Sequence, residues 1–345
     1  MEDLAAAIEH AGLPPETLVR IQAELRREPD TVPNFEAAHV SYYLGALLII
    51  GAMGWFVTSS WDTLSGQMLS AIALAYGALF GCTGWLLFQR NATKIPGGLL
   101  VAVAVSMTPL AIYGIERAVG WWPVSDPGGY SNFHPYINGS WIAMEISTVV
   151  VALTALWFVR FPFVAAPAAY ALWYLSMDAS AYLFHANWSF HQECMISTAF
   201  GIGMLICGYL LDSLSELDFA FWFYLFGLLA FTGGLSLMGS GSQLGRAVYC
   251  LIHLLMIAVS IILQRRAFLV FGALGVFAFL VSEAEGYFHD SFGFTIALTV
   301  IGALFIALGI LFKRNSEAIE GRLAPLAPEH IRRRREAHRS LRLQP

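Results

Sequence analysis

Charge is scarce in this chain. Of 345 residues, 19 are Lys or Arg and 24 are Asp or Glu, 12% together, about half the share of an ordinary soluble domain at ~25%. With 57% hydrophobic residues and a mean hydropathy of +0.63, that excludes a soluble globular body. Cysteine is scarce too: Cys82, Cys194, Cys207 and Cys250 show no CxxC or Cys/His metal spacing. Only Cys194 is expected near the outer face, so no structural disulfide is expected. The enzyme signatures HExxH and GxSxG and a phosphate-cradling glycine loop are missing. Ser176 and Asp178 are two residues apart and point in different directions on a helix. The chain therefore leans away from an enzyme, and no cofactor is expected. The N-terminus lacks a basic region followed by an apolar core, so the first span is expected to serve as an uncleaved insertion signal.

What is present is a succession of ten apolar stretches, about 18–23 residues each and so long enough to span a bilayer. They cover residues 42–59, 66–88, 97–115, 141–160, 162–184, 194–211, 218–238, 246–264, 267–286 and 293–312. The expected fold is all-α, a bundle of about ten transmembrane helices. When the links are assigned alternately to two sides, 17 of the 19 basic residues fall on one side; only Arg117 and Arg246 fall on the other. Positive charge near span ends stays cytoplasmic, which predicts cytoplasmic N- and C-termini.

The predicted organisation is a cytoplasmic amphipathic helical segment at 1–39, a ten-span domain at 40–313 and a basic tail at 314–345. In the first segment Leu18, Ile21 and Leu25 recur at helical spacing. The tail carries Arg332–Arg335 and ends its basic run at Arg342. Beside a last span, such a run is expected to contact anionic lipid headgroups rather than nucleic acid. A homo-oligomer is admitted but not specified. The external link Glu116–Ser140 is rich in Trp, Tyr and Pro, and reads as an interfacial aromatic belt or as a lid over an outward-facing cavity. Gly-Ala-Leu recurs at 45–47, 77–79, 272–274 and 302–304, and Gly77 and Gly81 form GxxxG; close helix packing is expected there. Pro109 and Pro167 are expected to kink spans 3 and 5.

Five strings, YYLGALLIIGAMGWF (Tyr42–Phe56), MTPLAIYGIERAVGWW (Met107–Trp122), FPFVAAPAAYALWYLSMD (Phe161–Asp178), DFAFWFYLFGLLAFTGGLSLM (Asp218–Met238) and RRAFLVFGALG (Arg265–Gly275), resemble a family of uncharacterised multi-pass bacterial membrane proteins. The resemblance covers roughly residues 40–315 and implies a bacterial inner-membrane protein. It brings no reaction, ligand or site. Ser282–Phe294 matches less well, so any role for Glu283 or Glu285 rests on this chain alone.

Ionisable side chains within spans are costly and mark functional candidates. Glu145 lies about one turn from the outer end of span 4. Asp178 lies 16 residues after Pro162, roughly 24 Å along span 5 at helical rise. Glu283 lies at a similar height on span 9, with Glu285 two residues on and His253 on span 8. Glu116 and Arg117 cap span 3. The outer side carries nine acids against two Arg, a mouth that attracts cations.

The leading expectation is a transporter-like permease with an acidic outward-facing vestibule for a cation, proton or cationic solute. Glu145, Asp178 and Glu283 would line it, tuned by His253 and Arg117. Alternatively the acids pair structurally with Arg117, Arg246 or His253, or serve an enzyme at the outer leaflet. A non-catalytic scaffold or sensor is a further alternative. A weaker metal candidate is His185, His191 and Glu193, although nothing in their spacing makes them converge as zinc requires.

Overall fold

The computed structural model describes residues 37–60, 63–122, 139–184, 189–215, 217–239, 242–287 and, with gaps, 292–314. Among them there is no strand. The helices are α1 (Ala37–Ser60), α2 (Gly66–Phe88), α3 (Lys94–Ser106), α4 (Thr108–Ala118), α5 (Gly139–Phe158), α6 (Ala165–Phe184), α7 (Phe190–Leu214), α8 (Ala220–Met238), α9 (Gln243–Leu263) and α10 (Arg266–Tyr287). An apolar helix, Phe292–Ala303, follows. Seven stretches are long and apolar enough to cross a membrane: α2, α3 with α4 as one, α5, α7, α8, α9 and most of α10. The other three expected spans coincide with Val40–Phe56 in α1, with α6, and with Phe292–Ala303. Tyr170, Tyr174, Ser176 and Asp178 dilute the apolar character of α6. The N-terminal amphipathic segment, most of the aromatic external link and the basic tail with Arg332–Arg342 lie outside the described residues.

The surface is apolar and the interior holds the polar groups. Leu48, Trp55, Leu79, Leu153, Trp157, Leu244 and Ile306 are exposed, whereas Glu116, Glu145, Thr148, Asp178, Asp212 and His253 are buried. A soluble domain buries charged side chains only rarely and does not clothe every helix in Leu and Ile. Together with seven apolar helices long enough to cross a membrane, this distribution is the one expected of a membrane-embedded helical protein.

The helices form two compact units, Met1–Gly227 and Leu228–Pro345. In the first, α2 runs antiparallel to α3 and α4, and glycines set the approach. A Cβ on Gly66 would stand 2.6 Å from the Gly114 carbonyl oxygen, and one on Gly84 2.8 Å from that of Gly97. The expected GxxxG pair does less: Gly77 and Gly81 have only Ala104 beside them, at 3.9 and 3.6 Å. Gly45 and Gly302 of the repeated triplet face open space, and only Gly272 meets a neighbouring backbone closely.

The span holding Pro109 breaks at Met107, with Pro109 in the first turn of α4. Pro167 is different. It is the third residue of α6, which begins at Ala165 after a 3-10 turn, Pro162–Val164. A missing N–H has little cost in a first turn, so Pro167 does not kink the helix below Asp178 as expected.

Contacts fix which ends meet. Trp122 packs on Trp141 at the start of α5, with ring centroids 6.0 Å apart. At the opposite end Phe161, between α5 and α6, packs on Phe88 at 6.5 Å. Tyr43 of α1 meets Phe163 there at 5.5 Å. Arg90, Lys94 and Arg160 lie at the Phe88 end; Arg117 lies at the Gly66 end.

Candidate functional site

Two helical hairpins carry the candidate side chains, and both follow one rule of register. In the α5–α6 hairpin Glu145 lies 15 residues before Arg160 and Asp178 lies 16 after Pro162. Arms of equal length bring equal heights together, roughly 24 Å from the turn at helical rise. Glu145 shares the buried face of α5 with Thr148 and Ala152, while Val150, Val151 and Leu153 face outward. Asp178 is buried on α6 at 5% exposure. The two carboxyl groups are close enough to interact, side chain to side chain, across the hairpin. An ionised carboxylate only accepts, so a hydrogen bond between two such groups requires a proton on one of them. The second Glu145 oxygen, Oε2, is buried without a hydrogen-bond partner. Thr148 donates its hydroxyl to the Met144 carbonyl at 2.7 Å and Ser176 to the Trp173 carbonyl at 2.6 Å. Neither hydroxyl proton is therefore spent on the pair.

In the second unit α9 and α10 are joined at Gln264, whose backbone is left-handed at φ 55°. Ser260 locks the turn, its hydroxyl donating to the Arg265 carbonyl at 3.1 Å. Arg246 lies 18 residues before Gln264 and Glu283 lies 18 after Arg265. Here the register yields an ion pair, Arg246 Nε to Glu283 Oε1 at 2.6 Å. The Nε–H is not aligned for a hydrogen bond, so the contact is Coulombic. Glu283 thus has a cationic partner in its own hairpin, the structural pairing named among the alternatives. Glu285 follows on α10; its side chain is outside the described residues.

His253 lies two turns from Arg246 on α9 and is fully buried. Its Nδ1 lies 2.9 Å from the Tyr249 carbonyl. A carbonyl only accepts, so in this contact Nδ1 carries the hydrogen, while Nε2 has no hydrogen-bond partner. The ring occupies the space a side chain at position 275 would need, so only glycine fits there. The Tyr249 ring covers it at 4.2 Å between centroids. His253 is a packing element of the α9–α10 interface.

Arg117 is half-buried and turns onto its own helix. Nη1 donates to the Tyr113 hydroxyl at 3.3 Å, and the guanidinium carbon stands 5.7 Å from that ring centroid. Among the metal candidates His191 and Glu193 are exposed in the first turn of α7, and His185 lies outside the described residues. Among the described residues no three His, Cys, Asp or Glu side chains cluster as metal ligands.

One residue was placed by sequence only as a cap. Glu116 is 2% exposed, and both carboxyl oxygens are buried without a hydrogen-bond partner. Gly120 explains its position. With φ 74° it closes α4 by a Schellman turn, Gly120 N–H donating to the Arg117 carbonyl at 3.3 Å and Trp121 N–H to that of Glu116 at 2.9 Å. Glu116 therefore stands inside the last turn, not beyond it. The glycine four residues on was the available signal.

No family model, curated protein or solved structure matches this chain, so its chemistry rests on its own geometry.

Proposed function

We propose that the chain is a transporter-like permease that binds a proton or small cation at the Glu145–Asp178 pair. The carrying observation is the carboxyl–carboxyl contact itself, buried in a hairpin whose outer face is apolar. Two acids in contact gain nothing as a packing device that two apolar side chains would not supply better. As an exchangeable site the pair has a use: it holds one proton, and on losing it presents two carboxylates to a cation. The excess of acids over Arg in the external links and span ends would draw cations toward it.

The charge asymmetry supports a membrane placement with both termini cytoplasmic and the pair toward the outer side. A bacterial inner membrane is what the resemblance read from the sequence strings would imply. The basic tail would rest on anionic headgroups. Glu283 is given a different role: its pairing with Arg246 favours helix locking.

The test is proton or cation flux in proteoliposomes under an imposed gradient. Wild type is expected to conduct, and Glu145→Gln and Asp178→Asn to fall to the rate of protein-free vesicles. Equal flux in wild type and both variants refutes the site. No flux in wild type across protons and alkali cations refutes the function.

A further inference from the structure

Glu116 is unexplained by packing. It is 98% buried by its 2% exposure, and neither oxygen has a hydrogen-bond partner. It also sits in the last turn of α4, where the helix dipole is negative and disfavours an anion. The adjacent cation does not compensate it, because Arg117 is directed to Tyr113. A bare carboxylate in such a place is among the most costly arrangements a protein can build.

The surroundings connect it to the pair on α5 and α6. Helix α4 packs on α5 through one cluster that contains Tyr113, Trp122 and Met144, with Trp141 against it. Glu116 is one turn after Tyr113, and Glu145 follows Met144 and lies one turn after Trp141. Among the described residues of the helices packed on α4, Glu145 is the titratable group at this end. Tyr76 and Cys82 of α2 lie further down, and Lys94 of α3 is at the opposite end. The rings of Tyr113 and Trp122 close on each other at 4.7 Å, a packing suited to a proton rather than an organic cation.

We propose that Glu116 is a proton-carrying site in its own right, the third carboxyl of a relay across α4, α5 and α6, and that the ion exchanged by this protein is the proton. This rests on the reading of Glu145 and Asp178 given above. In each cycle the Glu145–Asp178 pair first releases its proton away from α4; the O–H bond of Glu116 then breaks and an O–H bond forms on the vacated pair. Glu116 is briefly a carboxylate until a proton from solution at the end of α4 restores it.

The experiment uses the full chain, with Glu116→Gln beside wild type and Asp178→Asn. Infrared difference spectra on H₂O/D₂O exchange read the C=O stretch of protonated carboxylic acids. Thermal unfolding in detergent reads stability, and a pH-sensitive dye in proteoliposomes reads proton flux. Expected are loss of one protonated-acid band in Glu116→Gln, a melting temperature equal to or above wild type, and flux at the level of Asp178→Asn. A clear fall in melting temperature would identify Glu116 as a structural acceptor and overturn the proposal. Wild-type flux in Glu116→Gln overturns the relay while leaving the pair intact. If wild type itself conducts no protons but the band is still lost, the permease reading fails and the protonated state of Glu116 stands alone.

Discussion

At the scale of single residues, the two acidic hairpin positions differ in what a neutral substitute does. Glu145 faces another carboxyl, so Glu145→Gln replaces one member of a proton-bridged pair by an amide that still donates and accepts. Stability should stay level or rise, as measured by unfolding in detergent. Glu283 faces Arg246, and Glu283→Gln removes the attraction. Both side chains are partly exposed, 34% and 21%, so the loss should be modest, about 0.5–1 kcal/mol. A larger loss for Glu145→Gln than for Glu283→Gln would invert the assignment of roles. His253 gives a third test. Gly275→Ala forces a methyl into its ring and should cost about 1–3 kcal/mol by overpacking. In a His253→Ala background the same change should cost much less, and a double-mutant cycle reads the difference.

At the scale of helices, the hydropathy runs carried most of the information. Seven of the ten expected spans return as stretches long and apolar enough to cross a membrane, one of them as two helices broken at Met107, as expected where backbone hydrogen bonds must be met within the segment. Where the helices touch was harder to foresee. Gly-Ala-Leu and GxxxG are patterns in one chain segment, whereas a close crossing depends also on what the partner helix presents. Gly66 has Gly114 and Gly84 has Gly97; Gly77 has no such counterpart. The Glu145–Asp178 and Arg246–Glu283 pairs were legible by counting from the turns, since both arms of a short hairpin start at the same height. Glu116 was not, because the end of α4 depends on Gly120. Gly120→Ala puts a Cβ on a left-handed backbone and should cost about 1–2 kcal/mol, read as a lower melting temperature. It should also disturb Glu116, so proton flux should fall with it.

At the scale of the whole molecule, the proposed orientation rests on the distribution of Lys and Arg. Arg90, Lys94 and Arg160 gather at the Phe88 end of the first unit, and Arg265 and Arg266 stand at the α9–α10 turn. The expected outcome of reporter fusions is a cytoplasmic signal at the C-terminus and after Arg160, and an external signal after Trp122. Reversal of all three would turn the proposed acidic mouth toward the cytoplasm. Neutralising Arg90, Lys94 and Arg160 together should produce a mixed orientation, as charge near span ends is what fixes it.

The equal arms of the two hairpins make length a heritable trait distinct from composition. Lipid does not distinguish Leu from Ile or Phe, so the outward faces can drift freely. One residue inserted into a single arm, between Glu145 and Arg160 for instance, turns Glu145 by about 100° and carries it about 1.5 Å along the axis. The acid would then point at lipid while its partner remained inside. Such a chain would keep its hydropathy, its span count and its charge balance. Among natural variants, insertions and deletions should therefore collect in the links and be purged from the arms, even where substitutions are common.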